Sequence, residues 1–275
     1  MSIKMVALDL DGTTLNSKHE LTDRTRIALE TAAEQGVYIV VSTGRSFNSL
    51  PPVIKTVKGL AFAITSNGSH INMVSTGESI YDDYIHPDNI ERIIELADKH
   101  NCGLEVFVDG QAYIDEATYN DIKENGSPFR NAEYVLWSRK PVSDIGDLLR
   151  ENMHKIENCN FCFDGVEHLE TARKDITGVP NAQVTSSFAN NLEIGGSNTS
   201  KKTALIELMK RLGIDKSELM CCGDAPNDIQ MLELAGIGVA MENGWGGIKD
   251  HADYVTASCD DDGVAKAIEK FVLKK

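Results

Sequence analysis

The stretch KMVALDLDGTTLN, residues 4–16, carries the strongest structural signal in this chain. Its mostly apolar residues 5–8 are typical of a buried strand, yet Asp9, Asp11 and Gly12 follow almost at once. Side chains two residues apart lie on the same side of a strand, and two neighbouring carboxylates raise each other's pKa. The motif therefore predicts a positively charged group beside the two aspartates.

The length, composition and charge of the chain argue against several classes of protein. Its 275 residues suffice for one large or two ordinary domains, and 41% are hydrophobic, as in a globular protein with a sizeable core. The 42 acidic residues outnumber the 27 basic ones, and this argues against nucleic acid as a partner. We find no apolar run long enough to cross a bilayer and no signal peptide. We therefore expect a cytoplasmic protein without a membrane partner, whose oligomeric state stays open.

The six cysteines do not form a pattern that indicates a disulfide scaffold or a zinc site. Cys159 and Cys162 have C-x-x-C spacing, but neither a second such pair nor histidines at ligand spacing accompany them. A redox-active pair should open a helix, whereas NCNFCFDG alternates like a strand. We expect no function for this pair, and a reducing compartment.

Four apolar runs share one feature, since each is followed by small polar residues and glycine. The positions after the runs are Asp9, Thr43–Gly44, Asn67–Gly68 and Gly223–Asp224. Apolar runs that alternate with helices are typical of a parallel sheet covered on both faces. Ligands bind at the carboxyl ends of such strands, so these residues are expected to converge. Simple turns would explain Asn67 alone, but they explain the whole set poorly.

The region between residues 84 and 188 differs from the sequence on either side. Helical and strand-like segments recur there, such as PDNIERIIELADKHN and GLEVFVDGQAYI, without the polar strand ends. This pattern predicts an inserted α+β domain at 84–188, and the first sheet is expected to resume at NNLEIGG. The predicted domains are therefore 1–83 together with 189–275, and the insertion 84–188.

The segment GDAPNDIQML adds a second group of carboxylates. Asp224 ends a predicted strand, and Asn227 and Asp228 open a predicted helix. Acidic residues are favoured at helix N-termini, but capping explains one of these acids and not both.

The segment SKKTALIELMKRLG adds a lysine on the packed face of a helix. Lys201 precedes Ala204 and Leu205 by three and four residues, so these side chains share one face, whereas Lys202 flanks it. A lysine on a packed face needs an anion, unless its stem merely lies along apolar surface.

Together these residues supply what phosphoryl transfer requires. Carboxylates and phosphate oxygens bind Mg²⁺, while a lysine and the hydroxyl and amides at Thr43–Gly44 neutralise the charge of the transferring group. One aspartate can act as the nucleophile, and a second carboxyl can transfer a proton to the leaving group.

The motifs DLDGT, STGR, SKKTAL and GDAPND, in this order, resemble the haloacid dehalogenase superfamily. Within it, they are most similar to the Cof-type sugar-phosphatase-like hydrolases, which have a large cap after the second motif. The closing segment AMENG…ADYVT…DDDGVAKAIEKF also matches. The resemblance covers the core from end to end, and the cap in length and position. It implies a Rossmann-like α/β core with an inserted α+β cap that determines substrate specificity.

The resemblance also implies a role for each site residue. Asp9 is the nucleophile and Asp11 the general acid and base. Mg²⁺ is held by the Asp9 carboxylate, the Asp11 backbone carbonyl and Asp224. The implied phosphate ligands are Thr43, Lys201, Asn227 and the amides of Leu10 and Gly44. Asp228 supports the metal shell, and Arg45 and Asn67 are further supporting residues whose contact with substrate stays open.

Two positions depart from the family pattern. Lys201 is followed by Lys202 where the family has glycine, and Asn243 is followed by Gly244 where the family has alanine. Neither departure involves the nucleophile or an implied metal ligand, so the enzyme prediction is unaffected.

The sequence therefore predicts an Mg²⁺-dependent phosphatase that acts on small phosphomonoesters, foremost sugar phosphates, with nucleotides or phosphorylated cofactors as alternatives. A phosphomutase would use the same two aspartates, and a protein that binds a phosphorylated ligand without turnover would keep much of the site. A two-component receiver also phosphorylates an aspartate, but it is much shorter and has no cap. Tyr119, Lys123 and Arg130, in a loop-like stretch, are candidate substrate contacts, although a solvated surface explains them equally well.

Overall fold

The computed structural model describes residues 2–127 and 131–274. The strands are β1 (Met5–Leu8), β2 (Tyr38–Ser42), β3 (Leu60–Thr65), β4 (His70–Met73), β5 (Ser79–Asp82), β6 (Gly103–Val108), β7 (Gln111–Asp115), β8 (Arg139–Val142), β9 (Ile156–Cys162), β10 (Gln183–Thr185), β11 (Asn191–Gly195), β12 (Leu219–Gly223), β13 (Ile237–Ala240) and β14 (Tyr254–Val255). The α-helices are α1 (Asp23–Glu34), α2 (Pro52–Lys55), α3 (Ile90–Lys99), α4 (Glu116–Asn125), α5 (Ala132–Ser138), α6 (Ile145–Glu151), α7 (Val166–Thr177), α8 (Lys201–Leu212), α9 (Ile229–Leu234) and α10 (Gly263–Phe271). Among the described residues, no helix combines the length and apolar character that crossing a bilayer requires.

The chain divides into two compact units. The first consists of Met1–Gly44, Leu50–Tyr81 and Lys201–Lys275, and the second of Arg45–Ser49 and Asp82–Ser200. The second unit is thus an insertion in the sequence of the first.

The first unit is built on a sheet with the order β14–β13–β12–β1–β2–β3–β4–β5. Its strands from β14 to β3 are parallel, and β4 pairs with β3 in the antiparallel sense. All four residues of β1 are apolar and fully buried, as expected for a central strand of a parallel sheet. Met5 and Ala7 belong to a core that includes residues of α8 and α9. The predicted parallel α/β core is confirmed.

The polar strand ends meet at one edge of this sheet. β3, β2, β1 and β12 are neighbours and run in the same direction, so the residues after them lie side by side. These residues include Asp9, Thr43, Asn67 and Asp224. The convergence expected from the sequence is therefore present.

The second unit contains a six-stranded sheet with the order β10–β11–β9–β6–β7–β8. Its strands are antiparallel except for the parallel pair β7 and β8. One face is apolar, and its side chains, such as Val106, Cys159 and Phe161, belong to a core shared with residues of α3, α6 and α7. Cys159 and Cys162 lie on one strand, as the alternation around them predicted, and both are free thiols.

The prediction that the first sheet resumes at NNLEIGG is wrong. β11 pairs with β9 and β10 in the second unit. The reason lies in its pattern, because buried apolar Leu192 and Ile194 alternate with polar Asn191 and Glu193, as in a strand with two different faces. The longer segment of the second unit runs from Asp82 to Ser200, whereas the predicted insertion was 84–188.

The stretch thought to be a loop around Tyr119 and Lys123 is also different. Both residues lie in α4, and the Tyr119 hydroxyl donates to the carbonyl of Leu136 at 3.1 Å. Tyr119 therefore has a structural contact of its own, while Arg130 falls outside the described residues.

Candidate active site

The backbone around Asp9 is fixed by the turn that follows β1. The Asp9 amide donates to the carbonyl of Cys222, which extends the pairing with β12 by one residue. The amides of Thr13 and Leu15 both donate to the carbonyl of Leu10, and the Thr14 hydroxyl donates to the carbonyl of Asp9 at 2.6 Å. These bonds close a tight turn that leaves the Asp9 side chain at the carboxyl edge of the sheet.

Lys201 joins two carboxylates at this edge. Its ammonium nitrogen lies 2.6 Å from Oδ1 of Asp9 and 2.6 Å from Oδ1 of Asp228. The Lys201 side chain is 1% exposed, although it lies in the first turn of α8, where the helix dipole disfavours a cation. The expectation that Lys201 is packed beside an anion is confirmed, and Lys202 is only partly buried.

Asp228 holds the end of β12 as well as Lys201. Its Oδ2 accepts the amides of Asp224 and Ala225, each at 3.1 Å. A Cβ on Gly223 would lie 2.4 Å from the Cβ of Asp228, so glycine is required for this close approach. Both carboxylate oxygens of Asp228 are therefore occupied by protein groups, which makes it a supporting residue here.

Asp224 faces the turn that carries the first motif. The Thr13 hydroxyl donates to Oδ1 of Asp224 at 2.8 Å. Gly12 has a φ of +76°, and a Cβ there would lie 2.5 Å from Oδ2 of Asp224. Glycine thus permits both the left-handed backbone and the approach of the carboxylate.

The described residues form a group that suits a divalent cation. Oxygen atoms of Asp9, Asp224 and Asp228 lie within 4.8 Å of one another, and all three residues are buried. Three carboxylates and the Lys201 ammonium carry a formal charge of −2, which one divalent cation would balance. Because every donor atom in this group is a carboxylate oxygen, it fits a hard ion such as Mg²⁺.

Burial first, and then the neighbouring charges, shift the pKa values of these groups. Burial raises the pKa of Asp9 well above its usual range; the Lys201 ammonium opposes this, and the Asp228 and Asp224 carboxylates add to it. Burial and the Asp228 carboxylate raise the pKa of Asp224 to about 7, against the Thr13 hydrogen bond and Lys201. Burial lowers the pKa of Lys201, but Asp228 and Asp9 outweigh burial and hold it above its usual value, so Lys201 is charged.

Asp11 lies apart from the buried group. Its side chain is 42% exposed, and Nδ1 of His19 lies 3.3 Å from its Oδ1. β1 stops at Leu8, so the strand alternation that placed the Asp9 and Asp11 carboxylates on one side does not apply. The positive group beside Asp9 is the Lys201 ammonium, which links Asp9 to Asp228.

The other predicted site residues of the first unit occupy neighbouring strand ends. Thr43 is buried after β2, and a Cβ on Gly44 would lie 3.2 Å from Oδ1 of Asn67. Nδ2 of Asn227 donates to the same oxygen of Asn67 at 3.0 Å. The buried Oδ1 of Asn227 has no hydrogen-bond partner within the described part of the chain.

Arg45 is the last residue of the second motif but belongs to the second unit. Its guanidinium lies 4.0 Å from the ring centroid of Tyr134, and Nη1 donates to the carbonyl of Ser49. The guanidinium of Arg139 stacks on the same ring at 4.7 Å. Arg45 thus has structural partners in this unit.

The second unit has a buried polar cluster that the sequence did not reveal. Glu105, Asn160 and Glu193 lie opposite one another on β6, β9 and β11. Oε2 of Glu105 accepts bonds from Arg139 at 2.9 Å and from Asn160 at 3.0 Å. Oδ1 of the buried Asn158 has no partner among the described residues. This face of the sheet is polar, opposite the apolar core.

Sequence reasoning missed three residues that support the site. Thr13 binds Asp224, His19 lies beside Asp11, and Nδ2 of Asn243 donates to the carbonyl of Gly12 at 2.7 Å. Thr13 belongs to the DLDGT motif, so its position was a usable signal. In the sequence, Asn243 stood out only because glycine and not alanine follows it. No motif in the sequence around His19 indicates a role for that residue.

Comparison with known proteins settles the family. A family model described as haloacid dehalogenase-like hydrolase matches residues 6–268. The chain belongs to this family. The 5-amino-6-(5-phospho-D-ribitylamino)uracil phosphatase YcsE of Bacillus subtilis (strain 168) is 32% identical over 273 residues, which cover 99% of this chain and 97% of that protein.

Solved structures of haloacid dehalogenase-like hydrolases agree with this fold. One from Bacillus subtilis is 28% identical, with a TM-score of 0.85, and the match covers 98% of this chain and 100% of that one. A phosphatase of this superfamily from Bacteroides thetaiotaomicron is 27% identical, with a TM-score of 0.82 and coverage of 98% and 95%. The resemblance inferred from the four motifs is confirmed, and the chain is a phosphatase that hydrolyses phosphomonoesters.

Proposed function

We propose that this haloacid dehalogenase-like phosphatase hydrolyses phosphomonoesters of sugars and sugar alcohols through an aspartyl-phosphate on Asp9 and requires Mg²⁺. The observation that carries the proposal is the buried group of Asp9, Asp224 and Asp228 around Lys201, with its formal charge of −2. Asp9 and Asp224 are the side chains that would hold the ion. When bound, Mg²⁺ supplies positive charge that lowers the repulsion between the carboxylates and the phosphate.

In the first step Asp9 attacks phosphorus and the alcohol leaves. Lys201 engages Oδ1 of Asp9, so Oδ2 is the candidate attacking atom. The new bond joins Oδ2 to phosphorus, and the bond between phosphorus and the alcohol oxygen breaks. Asp11 in its protonated form gives the departing alkoxide a proton, so that the free alcohol is released.

In the second step water hydrolyses the aspartyl-phosphate. Asp11, now ionised, takes a proton from the attacking water, and the bond between Oδ2 of Asp9 and phosphorus breaks. Inorganic phosphate leaves, and both aspartates return to their starting states. Lys201, the Thr43 hydroxyl, Asn227 and the amides of Leu10 and Gly44 are the groups proposed to stabilise the negative charge of the phosphoryl group.

The proposed substrate class rests on the relative from Bacillus subtilis and on the second unit. The name of that relative places the phosphate of its substrate on a ribityl chain, which derives from a sugar alcohol. We assign substrate selection to the inserted unit, in keeping with the specificity role that the resemblance implies for the cap.

The test is release of inorganic phosphate from matched pairs of substrates. Ribitol 5-phosphate and n-pentyl phosphate have the same carbon chain and differ in their hydroxyl groups. We expect the wild-type enzyme with Mg²⁺ to hydrolyse the ribitol ester faster, and the Asp9→Asn variant to hydrolyse neither. If the enzyme hydrolyses p-nitrophenyl phosphate but does not hydrolyse ribitol 5-phosphate faster than n-pentyl phosphate, the proposed substrate class is contradicted. Turnover by Asp9→Asn would contradict the nucleophile.

A further inference from the structure

Asp11 differs from the other acidic residues of the site in being close to solvent. Its side chain is 42% exposed, whereas Asp9, Asp224 and Asp228 are all less than 10% exposed. Burial therefore does little to fix the orientation of the carboxyl group, yet a general acid acts only when its proton lies within hydrogen-bond reach of the leaving oxygen. A neighbouring group that orients Asp11 would meet this need.

His19 is such a neighbour. Its Nδ1 lies 3.3 Å from Oδ1 of Asp11. A carboxylate only accepts hydrogen bonds, so Nδ1 is the donor while Asp11 is ionised. The distance is at the long end for a hydrogen bond between nitrogen and oxygen, and such bonds at active sites often shorten when substrate binds.

The loop that carries His19 is built around Asn16. Oδ1 of Asn16 accepts the amides of Lys18 and Glu20, and its carbonyl accepts the amide of His19 at 2.8 Å. The Asn16 amide donates to the carbonyl of Glu20 at 3.0 Å. The amide of Ser17 donates to Oδ1 of Asp260 at 2.8 Å, which ties the loop to a distant part of the same unit. The ring of His19 is thus presented to Asp11 by a loop with several hydrogen bonds.

His19 also occupies an unfavourable backbone conformation. Its φ is +60°, in the left-handed region that is uncommon for residues other than glycine, although histidine, asparagine and aspartate adopt it more often than most side chains do. Such strain persists where the surrounding structure enforces it, and it is often found at functional sites. The contact between the His19 ring and Asp11 would explain why this position holds histidine and not glycine.

We propose that His19 is a positioning residue, which orients the Asp11 carboxyl toward the leaving-group oxygen. The inference rests on the proposed role of Asp11 as the general acid. It predicts a defect limited to substrates that need a proton, because His19 acts on Asp11 and not on the phosphoryl group. Ribitol 5-phosphate has a poor leaving group, whereas p-nitrophenolate departs without a proton.

Three variants separate the ring of His19 from the backbone conformation. His19→Gly removes the ring and relieves the positive φ, so the loop should remain folded. His19→Asn keeps a side-chain N–H donor and tolerates the positive φ. Lys18→Ala changes the adjacent residue of the same loop and serves as the matched control. Rapid mixing of the enzyme with each substrate measures the rate at which the aspartyl-phosphate forms.

We expect His19→Gly to slow this step about 10-fold with ribitol 5-phosphate, a part of the roughly 10²–10⁴-fold that a general acid supplies. The loss with p-nitrophenyl phosphate should be less than about 2-fold, with little change in KM. His19→Asn should recover most of the rate, and Lys18→Ala should behave as wild type. In an Asp11→Asn background, His19→Gly should cause no further loss.

Equal losses with the two substrates, or a further loss in the Asp11→Asn background, would overturn the role of His19. Wild-type rates in His19→Gly would do the same. The proposed mechanism has a separate test in the single variant Asp11→Asn, because an equal first-step loss with both substrates there would remove Asp11 itself from the acid role. The two ideas therefore fail on different measurements.

Discussion

Replacing Lys201 tests the centre of the proposed site. Its ammonium nitrogen lies 2.6 Å from carboxylate oxygens of both Asp9 and Asp228, and the side chain is 1% exposed. Lys201→Met keeps an unbranched side chain of similar length and leaves two buried carboxylates without their cation. Removing one partner from a buried charge pair costs about 3–5 kcal/mol, and we expect the free energy of unfolding to fall by about that amount near neutral pH. Lys202→Met, one residue further and partly exposed, is the matched control.

The same variant should lose activity by about 10²-fold or more, as when other groups that stabilise transition-state charge are removed. Its stability defect should shrink in acid. Without Lys201 the pKa of Asp9 rises further, so stability is lost as the pH rises through that pKa and returns when the carboxylate is protonated. Urea unfolding at pH of about 5 and about 8, with phosphate-release assays, measures both effects. Small and equal losses in the two lysine variants would refute this account of the site.

Three further predictions concern the aspartates. Chelation with EDTA should abolish activity and Mg²⁺ should restore it, because Asp9 and Asp224 otherwise repel the phosphate; full activity in metal-free buffer would refute the proposed metal. The pKa of Asp224 is raised to about 7, so the unfolding free energy of the metal-free protein should fall as the pH rises from about 4 to about 7. Mg²⁺ should restore the stability that is lost at the higher pH, so it should stabilise the protein more at pH of about 8 than at pH of about 5. An equal stabilisation by Mg²⁺ at the two pH values, measured by thermal unfolding, would contradict the raised pKa of Asp224. Asp11→Asn should give a burst of nitrophenolate near one per enzyme and then slow turnover, whereas Asp9→Asn should give no burst in the same rapid-mix experiment.

The local signals in the sequence were sufficient for the core of the first unit. Continuous apolar runs followed by Asp9, Thr43 and Asp224 predicted a parallel sheet with polar residues at one edge, because both features are properties of short segments. The helical spacing of Lys201 likewise placed it on the packed face. These inferences needed no knowledge of distant contacts.

The remaining features depend on contacts between distant residues. β11 was assigned to the wrong sheet because a strand carries no local label for its partners, although the alternation of Leu192 and Ile194 with polar residues was a usable sign. The bond between Lys201 and Asp228 joins residues 27 positions apart, and the pair of Glu105 and Arg139 is separated by 34. His19 acquires its meaning only when the loop after the first motif folds back onto Asp11.

The insertion of the second unit has a consequence for how the protein is made. β1 lies between β2 and β12, yet its partner residues in β12 are synthesised more than 200 positions later, as in the pair Met5 and Leu219. At roughly 5–20 residues per second, this edge of β1 lacks its partner for roughly 10–40 seconds of translation. All residues of the second unit, by contrast, have been synthesised when the ribosome reaches Ser200. A released fragment that ends at Ser200 should resist protease in the described parts of residues 82–200 and remain cleavable in residues 2–44, which limited proteolysis of that fragment would show.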